Sequence, residues 1–158
     1  MTMKKLALLL LLLLTALPVQ ADPTWKKMRF EVVPGESAGP FQLGQPIPDE
    51  AYTLLGQPKK TGENQLTWGV VESFELVKGL AVFLEDGNVS KVMMTNVRAV
   101  TDRGAYLGMP SGAFKKLYPE GTATYSDFYD GDIFKIPGMT VILPANGKAY
   151  EMTVESDS

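Results

Sequence analysis

Two segments of the chain carry the same hydrophobic pattern. Ala51, Leu54 and Leu55 fall at i, i+3 and i+4, one apolar helical face, between the Gly/Pro turn Leu43-Gly44-Gln45-Pro46 and the stop Gly56-x-Pro58. Pro48 suits the first helical position, where its missing N–H costs nothing. Asp49 and Glu50 then lie at the positive end of the helix dipole. The pattern returns after Leu107-Gly108-Met109-Pro110, where Ala113, Phe114 and Leu117 form the apolar face, Ser111 is the predicted N-cap, and Pro119 and Gly121 end the helix. Helices of about eight residues are not stable alone and must dock on something larger.

That larger element is a set of strands. Alternation in Met28–Val33 predicts a half-buried strand, broken by Pro34-Gly35, and Phe41-Gln42-Leu43 is a short apolar step into the first turn. Lys59–Asn64 is a polar loop. Strands are expected at Gln65–Val71, Ser73–Val77 and Gly79–Leu84, and a long one at Val89–Val100 after the hairpin signal Asp86-Gly87. After the second helix, strands are expected at Ala123–Tyr129, Ile133–Ile136, Gly138–Leu143 and Lys148–Val154, with Asn146-Gly147 as the last hairpin turn.

Turn, helix face, Gly-led strand and hairpin thus recur in the same order, at offsets of 59 to 64 residues. Each half alone is too small to bury a core. The expected fold is therefore α+β: one antiparallel sheet of about 6–8 strands from two tandem helix–strands repeats, with two short helices packed on one face. Residues 30–102 form the first repeat and 103–154 the second. Residues 22–29 are a lead-in segment and 155–158 a tail.

The N-terminus changes the picture of where this fold works. Lys4 and Lys5 precede the apolar run Leu6–Leu17, and Val19-Gln20-Ala21 is a small-x-small cleavage site, so residues 1–21 read as a signal peptide. The run is about a dozen residues, short of the roughly 20 that span a bilayer. The expected location is periplasmic or secreted, with no transmembrane span after cleavage. No cysteine follows the run, so no lipid anchor is expected.

Composition narrows the chemistry. The chain has 15 Lys+Arg and 18 Asp+Glu. Loss of Lys4 and Lys5 on cleavage makes the mature chain more acidic still, which gives no electrostatic reason to bind nucleic acid. With no histidine and no cysteine, His-assisted nucleophiles, the usual zinc sites and a base titrating near neutrality are all missing. The chain is expected not to be an enzyme, and no cofactor is implied.

Several residues resemble a known pattern. Leu43-Gly44, the short helix, Leu55-Gly56-x-Pro58, Trp68 and Gly79-Leu80-x-Val82-x-Leu84-x-Asp86-Gly87-x-Val89-x-x-Val92 are similar to small bacterial envelope proteins. These are the SmpA/OmlA (BamE-like) outer-membrane assembly lipoproteins, with one helix–turn–strands unit, and the β-lactamase-inhibitor-protein-like fold, with two in tandem. The likeness covers most of Phe30–Val154 and implies a non-catalytic, protein-binding envelope domain. The chain departs from both groups in lacking their cysteines.

The expected function is accordingly a periplasmic or secreted protein-binding domain, an envelope assembly factor or an inhibitor of a secreted enzyme, whose partner is another envelope or secreted protein. Adjacent strand residues point to opposite faces, so neither Met93 and Met94 nor Phe128 and Tyr129 can both be core. An exposed apolar patch is expected among Trp68, Met94, Tyr106 and Tyr129. Two alternatives stay open. Asp127, Asp130 and Asp132, with Gly131 allowing a sharp turn, offer oxygen ligands for Ca²⁺, making a small-ligand or calcium-binding protein; the plainer reading of this run is a solvated Asp-Gly hairpin. A carboxylate-based hydrolase would need two acids flanking a cleft, from Glu72 and Glu75 or Asp127 and Asp130. Within one strand, alternation would put Glu72 and Glu75 on opposite faces.

Overall fold

The structure is a computed structural model and describes residues 23–157. The predicted signal peptide lies outside these residues. The fold is α+β, with helices α1 (Asp49–Leu55) and α2 (Ser111–Leu117). The strands are β1 (Arg29–Val33), β2 (Ser37–Ala38), β3 (Phe41–Gln42), β4 (Lys59–Gly62), β5 (Gln65–Glu72), β6 (Glu75–Glu85), β7 (Asn88–Thr95), β8 (Arg98–Thr101), β9 (Thr122–Ser126), β10 (Gly131–Ile136), β11 (Met139–Pro144) and β12 (Glu151–Glu155).

An eight-stranded antiparallel sheet runs β4-β5-β6-β7-β12-β11-β10-β9. Two four-strand runs, each preceded in the chain by a short helix, therefore meet at the β7·β12 pair. A second, mixed sheet, β3-β2-β1-β8, is held by the parallel pair β1·β8. This small sheet departs from the single-sheet expectation. Its cause is at Asn96: a positive φ of 52° ends β7, and the chain the sequence pattern reads as one strand, Val89–Val100, leaves the large sheet to pair with β1. The polar stretch Lys59–Gly62, expected as a loop, forms the exposed edge strand β4.

Core parity follows from register. Trp68, Leu80, Met94, Met152, Val141 and Phe134 lie side by side across five strand pairs and face the helices. Against this row pack Ala51 and Leu55 of α1, Phe114 of α2, and Phe30, Val32, Ala38, Phe41 and Ala99 of the small sheet, all in one cluster. Both helices and the small sheet thus cover one face. Trp25, in the segment expected as a mere lead-in, is buried in the same cluster on a 3₁₀ turn.

The Trp68 indole fixes α1: Nε1–H donates to the Gly56 carbonyl at 2.8 Å, and its ring meets Phe41 and Tyr52 at 5.4 and 6.0 Å. At α2 the N-cap is Pro110, one residue before the expected Ser111. The Ser111 hydroxyl instead donates to the Pro144 carbonyl at 2.8 Å, tying the helix start to the loop after β11.

Candidate functional site

The opposite face of the large sheet carries no helix. Thr67, Ala81, Met93 and Thr153 lie in one cross-strand row of this face, Gly79, Thr95, Glu151 and Ile142 in the next. One end of this face gathers features that the sequence scatters. The β5–β6 hairpin tip, the loop before β12 and the β9–β10 loop all lie at the end marked by the Thr95–Glu151 pair.

The β5–β6 hairpin reaches past the sheet as an arm. At its base Gly69 and Gly79 are register partners, and the backbones approach so closely that a Cβ on either would overlap the main chain of the other strand. A bulge follows between Val70 and Val71. Paired glycines and a bulge are the devices that bend a strand out of its plane. Beyond them Val70, Val71 and Val77 are exposed, and Phe74 at the tip is fully exposed.

The tip is built against local preference. A two-residue hairpin loop needs left-handed backbone at both positions, which favours Asn-Gly or Asp-Gly. The other end of β6 obeys this with Asp86-Gly87, φ 51° and 81°. The tip uses Ser73-Phe74, φ 48° and 64°. A bulky side chain in that region is strained. Glu72 and Glu75 flank it as a direct cross-strand pair, and like charges so placed repel. They stand on two strands, so the alternation that separated them within one strand does not apply.

Two cavities lie beside the arm. One, of about 370 Å³, is lined by Glu75, Leu76, Thr95, Leu107, Lys148 and Tyr150 among others. The second, about 260 Å³, is lined by Phe74, Glu75, Phe83, Met93, Tyr129, Tyr150 and Glu151. Glu75, Leu76 and Tyr150 are common to both, so they form one divided cleft. Phe128 packs edge-on against Tyr129 at 4.8 Å between centroids, and Tyr129 lies 6.2 Å from Tyr150, an aromatic wall facing the arm.

The cleft is electrostatically unsettled. Burial first, then repulsion from Glu75, pushes the Glu151 carboxyl above the usual carboxylate range, with Lys91 opposing. Burial and then Glu151 push the Tyr150 phenol up to about 12. Tyr129 is raised by burial and by the same two carboxylates. Among the described residues neither Glu75 nor Glu151 belongs to an ion pair; Lys91 lies over the Phe83 ring at 4.3 Å instead. The Thr95 hydroxyl, on a residue 2% exposed, has no hydrogen-bond partner.

Of the four residues expected to form a patch, Tyr129 alone lines the cleft. Trp68 at 2% exposure and Met94 at 0% are core, because the register turns their shared row toward the helices. Tyr106 is half-exposed but sits against Val100 of the small sheet. Phe74, Glu75, Tyr150 and Glu151 are the residues that the patch expectation missed; Ser73 and Phe74, expected to open a strand Ser73–Val77, instead form the tip between β5 and β6, because neither is a turn former that would mark it in the sequence.

The acidic turn does not assemble as a cation site. Asp130 accepts from the Tyr125 hydroxyl at 2.9 Å, and Asp132 pairs with Lys115 of α2 on the helix-bearing face. Among the described residues no three acidic side chains converge on one point, so Asp127, Asp130 and Asp132 fail as a ligand set.

No protein-family model and no curated protein matches the chain. Among solved structures it is similar to the crystal structure of the uncharacterized protein yfeY from Escherichia coli, at 15% identity and a TM-score of 0.47, over 81% of this chain and 99% of that one.

Proposed function

We propose that the protein is a non-catalytic binding domain, exported through residues 1–21 to the periplasm or cell exterior, and that it holds an envelope or secreted protein partner at the arm and cleft. The observation that carries this reading is Phe74: a fully exposed aromatic on a strained two-residue tip, flanked by exposed Val70, Val71 and Val77. Strain kept where an Asn-Gly tip would relieve it supports a role for the side chain itself. Aromatic anchors of this kind dominate protein interfaces. The reading agrees with the resemblance to BamE-like and inhibitor-like envelope domains, which implies protein binding.

A photo-crosslinking residue at position 74, in cells that produce the protein naturally, tests this. One discrete adduct is expected from position 74, lost when Val70 and Val71 become Ser, and none from position 86 on the opposite hairpin. Equal labelling from both positions, or none from 74, would overturn it.

A further inference from the structure

We infer that the cavity of about 370 Å³ is a slot for one added β-strand, and that an extended, apolar segment of the partner pairs there with the free edge of β6 at Leu76. This rests on the protein-binding reading above and adds how the partner is held.

The slot is the place that β7 turns away from. The β6·β7 ladder stops at the Gly79–Thr95 pair, where Asn96 at φ 52° redirects the chain, while β6 runs on to Glu75 against β5 alone. In a two-residue hairpin the residues flanking the loop bond each other, so Glu75 faces Glu72. Leu76, the next residue, then turns its N–H and C=O to the side without a strand. Among the described residues no backbone group meets Leu76 on that side. Leu76 and Val77 line the cavity together with Thr95, Val97, Leu107 and Ala149. An unpaired strand edge is a template for another chain, and strand addition to such an edge is a common mode of peptide binding.

A second observation on the same lining points to a guest with hydrogen-bonding groups. The Thr95 hydroxyl belongs to a residue 2% exposed and has no partner. A buried polar atom without a partner costs free energy, which a guest that reaches it removes. Leu76 lies three residues beyond the Gly79–Thr95 pair, about 10 Å along a strand, so an extended segment of about four residues passes both. The charged residues on the lining are Glu75 and Lys148, one of each sign, so the cavity selects no net charge. A carboxylate only accepts and an ammonium only donates, whereas each peptide unit does both, as the Leu76 backbone and the Thr95 hydroxyl require. Val97, Leu107 and Ala149 give the segment's side chains an apolar contact.

The test is fluorescence anisotropy of the mature chain with two labelled peptides, Thr-Val-Thr-Val-Thr and Thr-Leu-Thr-Leu-Thr. Each is used unmodified, N-methylated on its odd residues, or N-methylated on its even ones. Only alternate N–H groups of an added strand face its host. One methylated form of the tighter peptide is therefore expected to bind about tenfold more weakly, a loss of about 1.4 kcal/mol, and the other like the parent. Equal weakening of both forms, or of neither, overturns the inference, as does a dissociation constant above about 1 mM for both parents. T95V should weaken the parent several-fold without lowering the melting temperature; unchanged affinity there overturns the slot too. Amide exchange locates the strand: the Leu76 N–H is expected to be protected on peptide addition, and protection at the outer edges β4 or β9 instead would contradict it. N-acetyl-valine amide binding as tightly as the peptides would assign the cavity to a small molecule, and peptide competing with self-association would assign the edge to a second copy; either result overturns the inference. A position-74 adduct that persists when the methylated forms are indistinguishable sinks this inference alone. No adduct from position 74, with the methylated forms distinguished, sinks the interface reading alone.

Discussion

Gly79 and Gly138 hold matching places in the two four-strand runs, and the chain does opposite things at them. Val82 and Val141, three residues on from each, face Val92 of β7 and Met152 of β12. At Gly138 the second run turns: β11 starts at Met139, and the Gly138 carbonyl accepts from the Gly35 N–H at 2.9 Å, so the turn is tied to the loop after β1. At Gly79 the first run continues: β6 starts four residues earlier, at Glu75, so its hairpin with β5 runs on beyond the Gly79–Thr95 pair where β7 ends. One register thus yields a closed corner in one half and a free arm in the other. The closed corner is tied to the rest of the chain; the arm carries the exposed apolar side chains and the strained tip. The proposed binding surface lies where the two halves differ.

The sharpest way to break that comparison is at the glycines. Gly79→Ala places a Cβ into the backbone of Trp68 at φ 116°, where neither strand can yield. It should destabilise by about 3 kcal/mol or more, measured by urea unfolding. Gly104→Ala, at φ 84° with open space around it, should cost only about 1 kcal/mol from its backbone conformation. Equal losses would show that the arm's base has room to relax.

Trp68→Phe comes next. It keeps a ring but removes the donor to the Gly56 carbonyl, for about 1–2 kcal/mol, and should loosen α1 while leaving α2 unchanged. Amide exchange separates the two: faster exchange at the α1 C-terminus alone is the expected pattern, and uniform acceleration would contradict it.

The tip gives the third test, with the opposite sign. Ser73→Asn with Phe74→Gly installs a relaxed hairpin loop and should raise stability by about 1 kcal/mol, while the position-74 surface is lost. Destabilisation by this double change would mean that Phe74 packs within the fold rather than serving a partner.

These differences also explain what can be read from the sequence. Period and turn chemistry place both helices and most strands, since Asp86-Gly87, Asn146-Gly147 and the Gly/Pro stops act locally. Face parity is not readable where both faces are apolar: Met93 and Met94 are equally hydrophobic, and only the register with Leu80 and Met152 decides which is core. Trp68 escapes the sequence pattern for the same reason. The small sheet is hidden because its bond between β1 and β8 joins segments about 70 residues apart in parallel. Glu151 and Glu75 show no pairing by spacing, being brought together only when β12 closes on β7.

Glu151→Gln should have the smallest effect and isolates the carboxyl pair. In the folded chain Glu151 keeps its proton to higher pH than in the unfolded chain, because burial and Glu75 on β6 disfavour its charge more than Lys91 on β7 favours it; Tyr129 and Tyr150 complete the titratable surroundings. The folded state then binds more protons, so this group's contribution to stability falls as pH rises from the ordinary carboxylate range through the raised folded value. Below that window both states are protonated and the variant should match the parent. Above it the amide variant, free of the carboxylate's charge, should melt higher than the parent by about 1–3 °C, a small gain since the cleft opens to solvent. A variant that melts lower at pH 7 and matches the parent at acid pH would reverse the sign and show Glu151 to be paired in the folded state.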